Sequence, residues 1–365
     1  MNDFSLPKPV KIVMLDDDHV IRIGRYMLSG PPEVSDDWIR DFLLPEEMNL
    51  ADVFNLGRGL HKSDGVELIP RSAHPVIGAG DASILVFRRG KIDAEFIAAS
   101  PNLRLIQRFG GRPSGIDLAA ATARGIMVSC LPRPSLQYAA EHAVLLILAL
   151  FKRLVEADKA VRLATFDLAR LRPQNNVCGN WAALPSLGGL FQKKVGLVGV
   201  GEIGSLVAAM LRAFGATVLY TNRHRLPADQ EKLLGAEYVS FNELLERADV
   251  VSLHANNIPE NVSLFGADAF SRMKSTAFFI NTSRGALVDE DALFSALSKG
   301  TIAGAGLDVH AIEPRPIDRF SALSNVIMTP HTAGGSRKDV IGEIGLICDN
   351  CRAFISGQPI KYRMA

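Results

Sequence analysis

Three glycines in the middle of the chain have the spacing of a phosphate-binding turn. Residues 195–210 read VGLVGVGEIGSLVAAM, so Gly199, Gly201 and Gly204 follow a Val- and Leu-rich run and open an Ala- and Leu-rich one. A strand that turns sharply into a helix presents backbone N–H groups and the positive end of the helix dipole to a phosphate. The spacing predicts a dinucleotide-binding turn in which Gly201 admits the pyrophosphate and Gly204 allows close helix–strand packing.

The segment after the next predicted strand suits a phosphorylated ribose. A free ribose 2′-hydroxyl usually meets Asp or Glu there, whereas this sequence has Asn222, Arg223 and Arg225. Because guanidinium groups bind phosphate bidentately, the pattern predicts NADP as the cofactor, with NAD as the second choice. The alternative interpretation is a solvated surface loop that happens to carry two arginines.

Three more polar residues follow predicted strands on the carboxyl side of the same sheet, where open α/β sheets bind ligands. They are Arg284, Glu313 and His331. An arginine clamps a substrate carboxylate and polarises the neighbouring carbonyl, while a histidine supplies a proton as hydride arrives and a glutamate keeps that histidine protonated. Each alone is typical of a polar loop, but together beside a nicotinamide they suit reduction of a 2-oxo acid.

Alternating strands and helices are predicted on both sides of a linker at residues 131–135, which indicates an α/β chain with parallel sheets. The predicted strands are residues 10–15, 83–87, 103–107, 126–129, 195–199, 217–221, 249–253, 277–281, 303–308 and 326–328. The predicted helices are residues 93–100, 116–124, 135–168, 203–214, 228–234, 241–247, 267–272, 289–299 and 338–355. Prolines and glycines interrupt residues 20–80, which predicts loops with short elements there.

Composition limits the class of protein. A chain of 365 residues predicts two domains, and a net charge of +1 gives no reason to expect nucleic acid or an anionic membrane as a partner. The longest apolar run, residues 143–151, is far shorter than the roughly 20 residues that span a bilayer. No secretory signal, disulfide framework or metal-ligand cluster is evident, so we expect a cytoplasmic protein without a metal.

Four strings carry a resemblance to a known family: VGLVGVGEIG, FFINTSRGALVDEDAL, AGAGLDVHAIEP and IMTPHTAGGS. They are similar to the D-isomer-specific 2-hydroxyacid dehydrogenases, from about Ser83 to the C-terminus. The resemblance implies two Rossmann-like parallel-sheet domains with the active site in the cleft between them. It further implies a discontinuous substrate-binding domain of residues 1–132 and 335–365, a dinucleotide-binding domain of residues 133–334, and a homodimer with the helix after Ser135 in its interface.

The resemblance also implies roles for individual residues. Arg284, Glu313 and His331 are the implied catalytic trio, with Arg284 also binding substrate. The remaining implied cofactor contacts are Glu202 and Ile203 at the pyrophosphate, Thr282 and Ser283 by the nicotinamide, Asp308 on its carboxamide, and Gly334. The Asn222–Arg223 pair resembles the NADP-preferring glyoxylate/hydroxypyruvate reductases within the family, so NADP(H) and a 2-oxo acid are the expected reactants.

Residues 103–117, LRLIQRFGGRPSGID, depart from the family segment whose backbone amides hold the substrate carboxylate. Gly110 and Gly111 remain predicted substrate contacts, but Arg112 and Pro113 stand where a glycine and a small apolar residue are usual. Pro113 has no N–H to donate, whereas Arg112 adds a positive charge. Our hypothesis is that Arg112 binds a second acidic group on the substrate, such as a phosphate or distal carboxylate; the alternative is that it points to solvent.

Two other functions compete with the reductase. The family resemblance also covers transcriptional corepressors that sense nicotinamide nucleotides, and dehydrogenases of other small anions such as formate or phosphite. The intact trio and the lack of a disordered interaction tail favour an enzyme, and the arginines after Asn222 favour reductive NADP metabolism.

Overall fold

A computed structural model describes residues 6, 8–15, 19–29, 53, 66–69, 78–164, 179–315, 319–335 and 337–364. The chain divides into two compact units, a terminal unit of Met1–Ser135 with Ser336–Ala365 and a central unit of Leu136–Gly335. Each unit has its own parallel sheet, which confirms the predicted α/β class. The substrate-binding and dinucleotide-binding roles expected for the two parts of the chain stay predictions. No helix within the described ranges is both long and apolar enough to cross a membrane.

Strands of the two units pair in parallel with their neighbours. Those of the terminal unit are β1 Val10–Met14, β2 Val66–Ile69, β3 Ile84–Phe87, β4 Leu105–Phe109 and β5 Met127–Leu131. Those of the central unit are β6 Lys194–Val198, β7 Thr217–Thr221, β8 Ala236–Tyr238, β9 Val250–Leu253, β10 Phe278–Asn281, β11 Gly304–Leu307 and β12 Val326–Met328. Runs of Val, Ile and Leu suit strands that helices cover on both faces.

Helices follow most of these strands. They are α1 His19–Ser29, α2 Ala94–Ala98, α3 Leu118–Ala123, α4 Leu136–Lys152, α5 Leu154–Leu163, α6 Glu202–Ala213, α7 Ala228–Leu234, α8 Phe241–Arg247, α9 Ala267–Arg272, α10 Glu290–Ser298 and α11 Arg337–Ile355. Side chains start several of them, since Asp93, Asp117, Ser240 and Asp289 each accept a bond from the first turn of the helix that follows.

The terminal sheet has the strand order β2-β1-β3-β4-β5. On one face α1 packs with α11, and their buried side chains, among them Ile21 and Ile344, share a core with the sheet. The C-terminal tail runs antiparallel to β5 at the sheet edge. There the buried amide of Asn350 holds the tail, because its Nδ2 donates to the carbonyl of Lys361 at 3.1 Å and its Oδ1 accepts from the Lys361 N–H at 2.9 Å.

The central sheet has the strand order β12-β11-β10-β9-β6-β7-β8. The chain enters at β6, runs outward to β8, and then returns to β9 on the other side of β6. The order therefore reverses between β6 and β9, and the loops that leave these two strands at their carboxyl ends diverge. Such a switch point is where open α/β sheets bind ligands.

Several elements differ from the sequence prediction. The helix predicted over residues 135–168 is two helices, since Arg153 between α4 and α5 adopts a left-handed φ of 48°, and residues 165–178 lie outside the described ranges. Strand β8, which has three residues, was not predicted. The stretch around residues 20–80 holds α1 and β2, which its prolines and glycines concealed.

Candidate functional site

The turn between β6 and α6 has a shape that requires glycine at two positions. Gly199 has a φ of 97°, and a Cβ there would lie 2.8 Å from backbone atoms of His254 and Ala255. A Cβ on Gly204 would lie 2.4 Å from the carbonyl oxygen of Gly199. These two glycines therefore let the start of α6 sit against β6 and β9, as the motif spacing predicts.

His254, which follows β9, packs against this turn. Its backbone N–H donates to the carbonyl of Val198 at 2.8 Å, and its Nε2 lies 2.9 Å from Ser252 Oγ. Although part of its surface stays accessible, desolvation lowers the pKa of His254 to about 4. The imidazole is neutral at physiological pH and acts as a packing group.

Gly201 leaves room for an anion at the start of α6. A Cβ on Gly201 would meet no described heavy atom within 4 Å, and no side chain caps the helix. The backbone of Glu202 and Ile203 forms the first turn, where the helix dipole favours a phosphate. At the exit of β10, Thr282 Oγ1 is buried without a hydrogen-bond partner among the described residues. The open cradle and this orphaned hydroxyl fit a bound nicotinamide dinucleotide.

Asn222 ties the segment after β7 to the glycine turn. Its Oδ1 accepts from the Val200 N–H at 2.7 Å. We call residues 222–226 the arginine loop, after Arg223 and Arg225. The side chain that stands in place of the usual carboxylate thus has a structural partner, and the two arginines follow it at the surface.

Arg225 is fixed by a carboxylate from α7. Its Nε and Nη2 donate to the two oxygens of Glu231 at 2.8 and 2.9 Å, and its guanidinium lies 5.4 Å from the centre of the Tyr238 ring. The Tyr220 hydroxyl also donates to Glu231, at 2.6 Å. The bonds from Arg225 and Tyr220 lower the pKa of Glu231 to about 2. The predicted contact of Arg225 with a 2′-phosphate stays a prediction.

Arg223 has a looser partner. Its Nη2 lies 3.7 Å from a carboxylate oxygen of Glu260, and both side chains are more than half exposed. Glu260 belongs to the segment that follows β9 (residues 254–261, the β9 loop), so two loops on either side of β6 meet here. Sequence reasoning missed Glu260, because only the strand order brings it near Arg223.

Hydrogen bonds stabilise the turn that follows β10 and carries Arg284. Buried Asn281 accepts from the Ser283 N–H at 3.0 Å and donates to the Arg284 carbonyl at 3.1 Å. The Ser283 hydroxyl donates to the carbonyl of Ala255 at 2.7 Å. The Arg284 side chain is exposed, with Nη1 bonded to the Ser283 carbonyl. An exposed guanidinium on a braced turn suits a residue that receives a carboxylate.

The turn that carries Arg284 packs directly on the segment that carries Glu313. A Cβ on Gly285 would lie 2.1 Å from the backbone carbonyl of His310, so only glycine permits this approach. The His310 N–H donates to Glu313 Oε1 at 2.8 Å. The backbones beside two of the predicted catalytic residues are therefore in contact.

Asp308 holds, through hydrogen bonds, the loop that carries His331, which we call the histidine loop (residues 329–335). Its carboxylate is fully buried and accepts from the backbone N–H of Thr332 and of Ala333, each at 2.9 Å. Its backbone carbonyl accepts from the His331 N–H at 2.9 Å. These bonds hold His331 at a φ of 55°, a left-handed conformation that is unusual for histidine. The predicted contact of Asp308 with the carboxamide stays a prediction.

His331 and Glu313 form a pair. Nδ1 of His331 lies 2.7 Å from Glu313 Oε2. Desolvation opposes ionisation of Glu313, but the bonds from His331 and from the His310 N–H outweigh it, so its pKa lies below the ordinary value. Because an ionised carboxylate only accepts, Nδ1 carries the proton. The His331 side chain is 44% exposed, and Nε2, the ring nitrogen that does not meet Glu313, suits proton donation to a substrate.

Further polar groups, which sequence reasoning missed, stand behind the histidine loop. His142 Nε2 lies 3.0 Å from Thr329 Oγ1, and that hydroxyl donates to Asp308 at 2.6 Å. His310 Nε2 lies 3.1 Å from the Thr329 carbonyl. His142 lies within the apolar helix α4, whose sequence gives no signal for this role. Gly334, a predicted cofactor contact, is exposed near the end of the loop with nothing within 4 Å of an added Cβ.

In the terminal unit, Gly110, Gly111 and Arg112 follow β4 at the carboxyl edge of the sheet. The Gly110 N–H donates to the Leu131 carbonyl at 2.9 Å, while Gly111 is exposed and Arg112 half-buried. Nearby, the Arg133 guanidinium lies 4.7 Å from the centre of the Phe109 ring. These contacts place backbone and guanidinium groups at one strand end; whether they bind substrate stays a prediction.

Comparison with known proteins agrees with this geometry. The NAD-binding domain profile of the D-isomer specific 2-hydroxyacid dehydrogenases matches residues 144–333. Glyoxylate reductase of Korarchaeum cryptofilum is 38% identical over 269 residues, which cover 73% of this chain and 77% of that protein. D-3-phosphoglycerate dehydrogenase of Mycobacterium leprae is 36% identical over 277 residues, 76% of this chain and 49% of that protein.

A solved structure agrees over nearly the whole chain. The NADPH-dependent glyoxylate/hydroxypyruvate reductase of Sinorhizobium meliloti, in complex with NADP and malonate, has a TM-score of 0.55 and 26% identity, covering 98% of this chain and 97% of that one. No group of His, Cys, Asp and Glu side chains suited to a metal occurs within the described part of the chain.

Proposed function

The chain belongs to the D-isomer-specific 2-hydroxyacid dehydrogenase family, an NAD(P)-dependent family of enzymes, and from that premise we propose that it reduces a small 2-oxo acid with NADPH. The reverse reaction is oxidation of a D-2-hydroxy acid. The observation that carries the proposal is the His331–Glu313 pair, at 2.7 Å, beside the braced turn that carries Arg284.

Each residue of the trio has a role that its surroundings support. The exposed guanidinium of Arg284 binds the substrate carboxylate and polarises the adjacent carbonyl. His331 donates its Nε2 proton to the carbonyl oxygen, while ionised Glu313 stabilises the positive charge of the imidazolium. A bound reduced nicotinamide supplies the hydride. Glu202 and Ile203 would hold the pyrophosphate through their backbone N–H groups, and Thr282 and Ser283 would line the nicotinamide end.

NADPH is the proposed cofactor because the arginine loop has no carboxylate and carries two guanidiniums. Arg223 is the first candidate for the 2′-phosphate, since Arg225 is already bonded to Glu231. The Sinorhizobium meliloti relative described as NADPH-dependent supports this choice. Arg223→Ala should weaken NADPH binding and leave NADH binding unchanged.

Glyoxylate or hydroxypyruvate is the proposed substrate class, by similarity to the relatives that bear those names. Gly110, Gly111 and Arg112 would add contacts to the substrate. Arg112 gives a second candidate, a 2-oxo acid with a further acidic group, which similarity to a phosphoglycerate dehydrogenase supports. If Arg112→Ala leaves the ranking of mono- and dianionic 2-oxo acids unchanged, that second candidate is wrong.

A homodimer built on α4 and α5 is also proposed. Five apolar side chains on these helices are more than half exposed: Leu145, Leu154, Val155, Val161 and Leu163. Several large apolar side chains exposed on two consecutive helices are typical of a protein interface. Light scattering should give twice the chain mass, and Val155→Glu should shift it toward the monomer; a wild-type monomer contradicts the proposal.

The test of the activity is oxidation of NADPH and NADH against glyoxylate, hydroxypyruvate, pyruvate and bulkier or dianionic 2-oxo acids. We expect turnover with NADPH that His331→Ala lowers about 1,000-fold. Absence of turnover with either cofactor, despite tight NADPH binding, would contradict the proposed reaction and favour nucleotide sensing.

A further inference from the structure

Arg223 and Arg225 differ in how firmly each is held. Two bonds join Arg225 to Glu231, which Tyr220 fixes in turn. Arg223 meets Glu260 at a single distance of 3.7 Å, with side chains 58% and 66% exposed. An exposed ion pair at this separation contributes little to stability, so Arg223 is the arginine that exchanges its partner readily.

The β9 loop presents Glu260 from a segment with its own hydrogen bonds. Asn261 Nδ2 donates to the Asn256 carbonyl at 2.9 Å, and the Leu264 N–H donates to the Asn261 carbonyl at 3.1 Å. Strand β9 lies beside β6, and β7 lies on the other side of β6. Neither β7 nor the arginine loop contains a carboxylate at this point. The strand order supplies one, because it brings Glu260 of the β9 loop close to the end of β7.

We propose that Glu260 is a specificity-determining residue for the nucleotide cofactor. A carboxylate beside the adenosine ribose accepts a hydrogen bond from a free 2′-hydroxyl, as in NAD-binding sheets. Facing a 2′-phosphate, the same carboxylate repels the ligand and competes with it for Arg223. Glu260 therefore lowers the ratio of NADPH affinity to NADH affinity below the value that the arginine loop alone would give. This inference rests on the proposed binding of NADP(H).

The test compares dissociation constants of NADPH and NADH, measured by protein fluorescence, in wild type and Glu260→Gln. Removing one exposed negative charge near the 2′-phosphate should tighten NADPH binding by about three- to tenfold. NADH binding should weaken, because the amide is a poorer acceptor for the 2′-hydroxyl. The expected result is a larger ratio of the two constants, which falls back as salt is raised.

Glu246→Gln is the matched control. Glu246 lies 3.9 Å from Arg272 in another exposed pair, with a side chain that is 59% exposed, and it makes the same change in net charge away from the arginine loop. An unchanged ratio in Glu260→Gln, or an equal shift in both variants, overturns the inference.

Turnover of glyoxylate by the same preparations separates the two proposals. Turnover with an unmoved ratio overturns the role of Glu260 alone. A moved ratio without turnover of any 2-oxo acid supports Glu260 and overturns the proposed reaction. Absence of binding to both nucleotides overturns both.

Discussion

Two loops at the carboxyl edge of the central sheet are held in opposite ways. The histidine loop is bonded to Asp308, a fully buried carboxylate that accepts from two backbone N–H groups. The two arginines of the arginine loop are instead held by surface ion pairs, in which Arg223 is 58% and Arg225 is 63% exposed. Buried bonds to a charge are strong because water does not compete, whereas exposed ion pairs are weakened by water and by salt.

The two loops have different tasks: the histidine loop must place a reacting atom, whereas the arginine loop must recognise a phosphate far from the reaction. His331 must deliver a proton to one oxygen, and a misplacement of about 1 Å at a reacting centre lowers the rate about 100-fold. A 2′-phosphate needs mainly positive charge nearby. We therefore expect large effects that salt does not change from the histidine loop, and modest effects that salt does change from the arginine loop.

The largest expected effect is loss of the proton donor. His331→Ala should lower kcat about 1,000-fold, within the range that general acid catalysis contributes. The dissociation constant of NADPH and the thermal midpoint should stay near wild type, because the histidine side chain is exposed and its loop is held by Asp308. Steady-state kinetics with saturating NADPH measures the change. A variant that keeps a tenth of the wild-type kcat would remove the main reason for calling the loop catalytic.

Asp308→Asn tests the grip on the histidine loop. An amide nitrogen cannot accept, so either the Thr332 or the Ala333 N–H loses its acceptor in a buried place. We expect kcat to fall about 10- to 100-fold with little change in NADPH affinity, and added salt should not restore it. Asp289→Asn is the control, because it makes the same substitution at an exposed helix cap, where Asn caps about as well as Asp, and it should leave both stability and kcat near wild type.

If Asp308→Asn instead weakens NADPH binding and leaves kcat at saturation intact, the histidine loop would affect cofactor affinity rather than rate, which contradicts the proposed difference between the two loops. Asp308 would then act mainly on the nicotinamide, as the family resemblance implies.

Glu313→Gln tests the charge beside His331. The pKa of Glu313 is lowered, so its interaction with the imidazolium is present above the ordinary carboxyl range and is lost only as pH falls through that lower value. Without the negative charge the imidazolium is less stable, so the pH above which reduction declines should move down. The pH profile of kcat/KM measures this, with Glu246→Gln as a control for net charge. An unmoved alkaline limb would mean that the pair serves only to orient the ring.

The sequence predicted those parts of the site that depend on neighbours along the chain. The glycine turn was predicted from the spacing of Gly199, Gly201 and Gly204, which needs only consecutive residues, although the backbone that crowds Gly199 belongs to His254 and Ala255 after β9. The α/β class followed from the alternation of buried strands and helices. Family membership followed from strings of consecutive residues and is confirmed by the profile match.

Contacts between elements distant in sequence were beyond prediction. His142 reaches Thr329 across 187 positions, and nothing in an apolar helix signals this contact. Glu260 meets Arg223 only because β9 lies beside β6. The break at Arg153 escaped prediction because apolar residues continue on both sides of it, and one left-handed residue suffices to separate two helices.

The smallest expected effects come from the arginine loop, where two neighbouring arginines can be compared directly. Arg223→Ala should weaken NADPH binding about tenfold, as loss of a charged phosphate contact does. Arg225→Ala should weaken NADPH binding less, because the Arg225 guanidinium already bonds Glu231 and contacts the Tyr238 ring. Its main consequence should be a small loss of stability, as is usual for an exposed ion pair.

Fluorescence titration at low and high salt measures both variants, and urea unfolding measures the stability of each. Both losses of affinity should shrink as salt rises, unlike the loss of kcat in Asp308→Asn. Equal weakening by Arg223→Ala and Arg225→Ala would mean that Arg225 leaves Glu231 when the 2′-phosphate arrives. The arginine loop would then rearrange on binding, while the histidine loop, held by a buried carboxylate, would still be preformed.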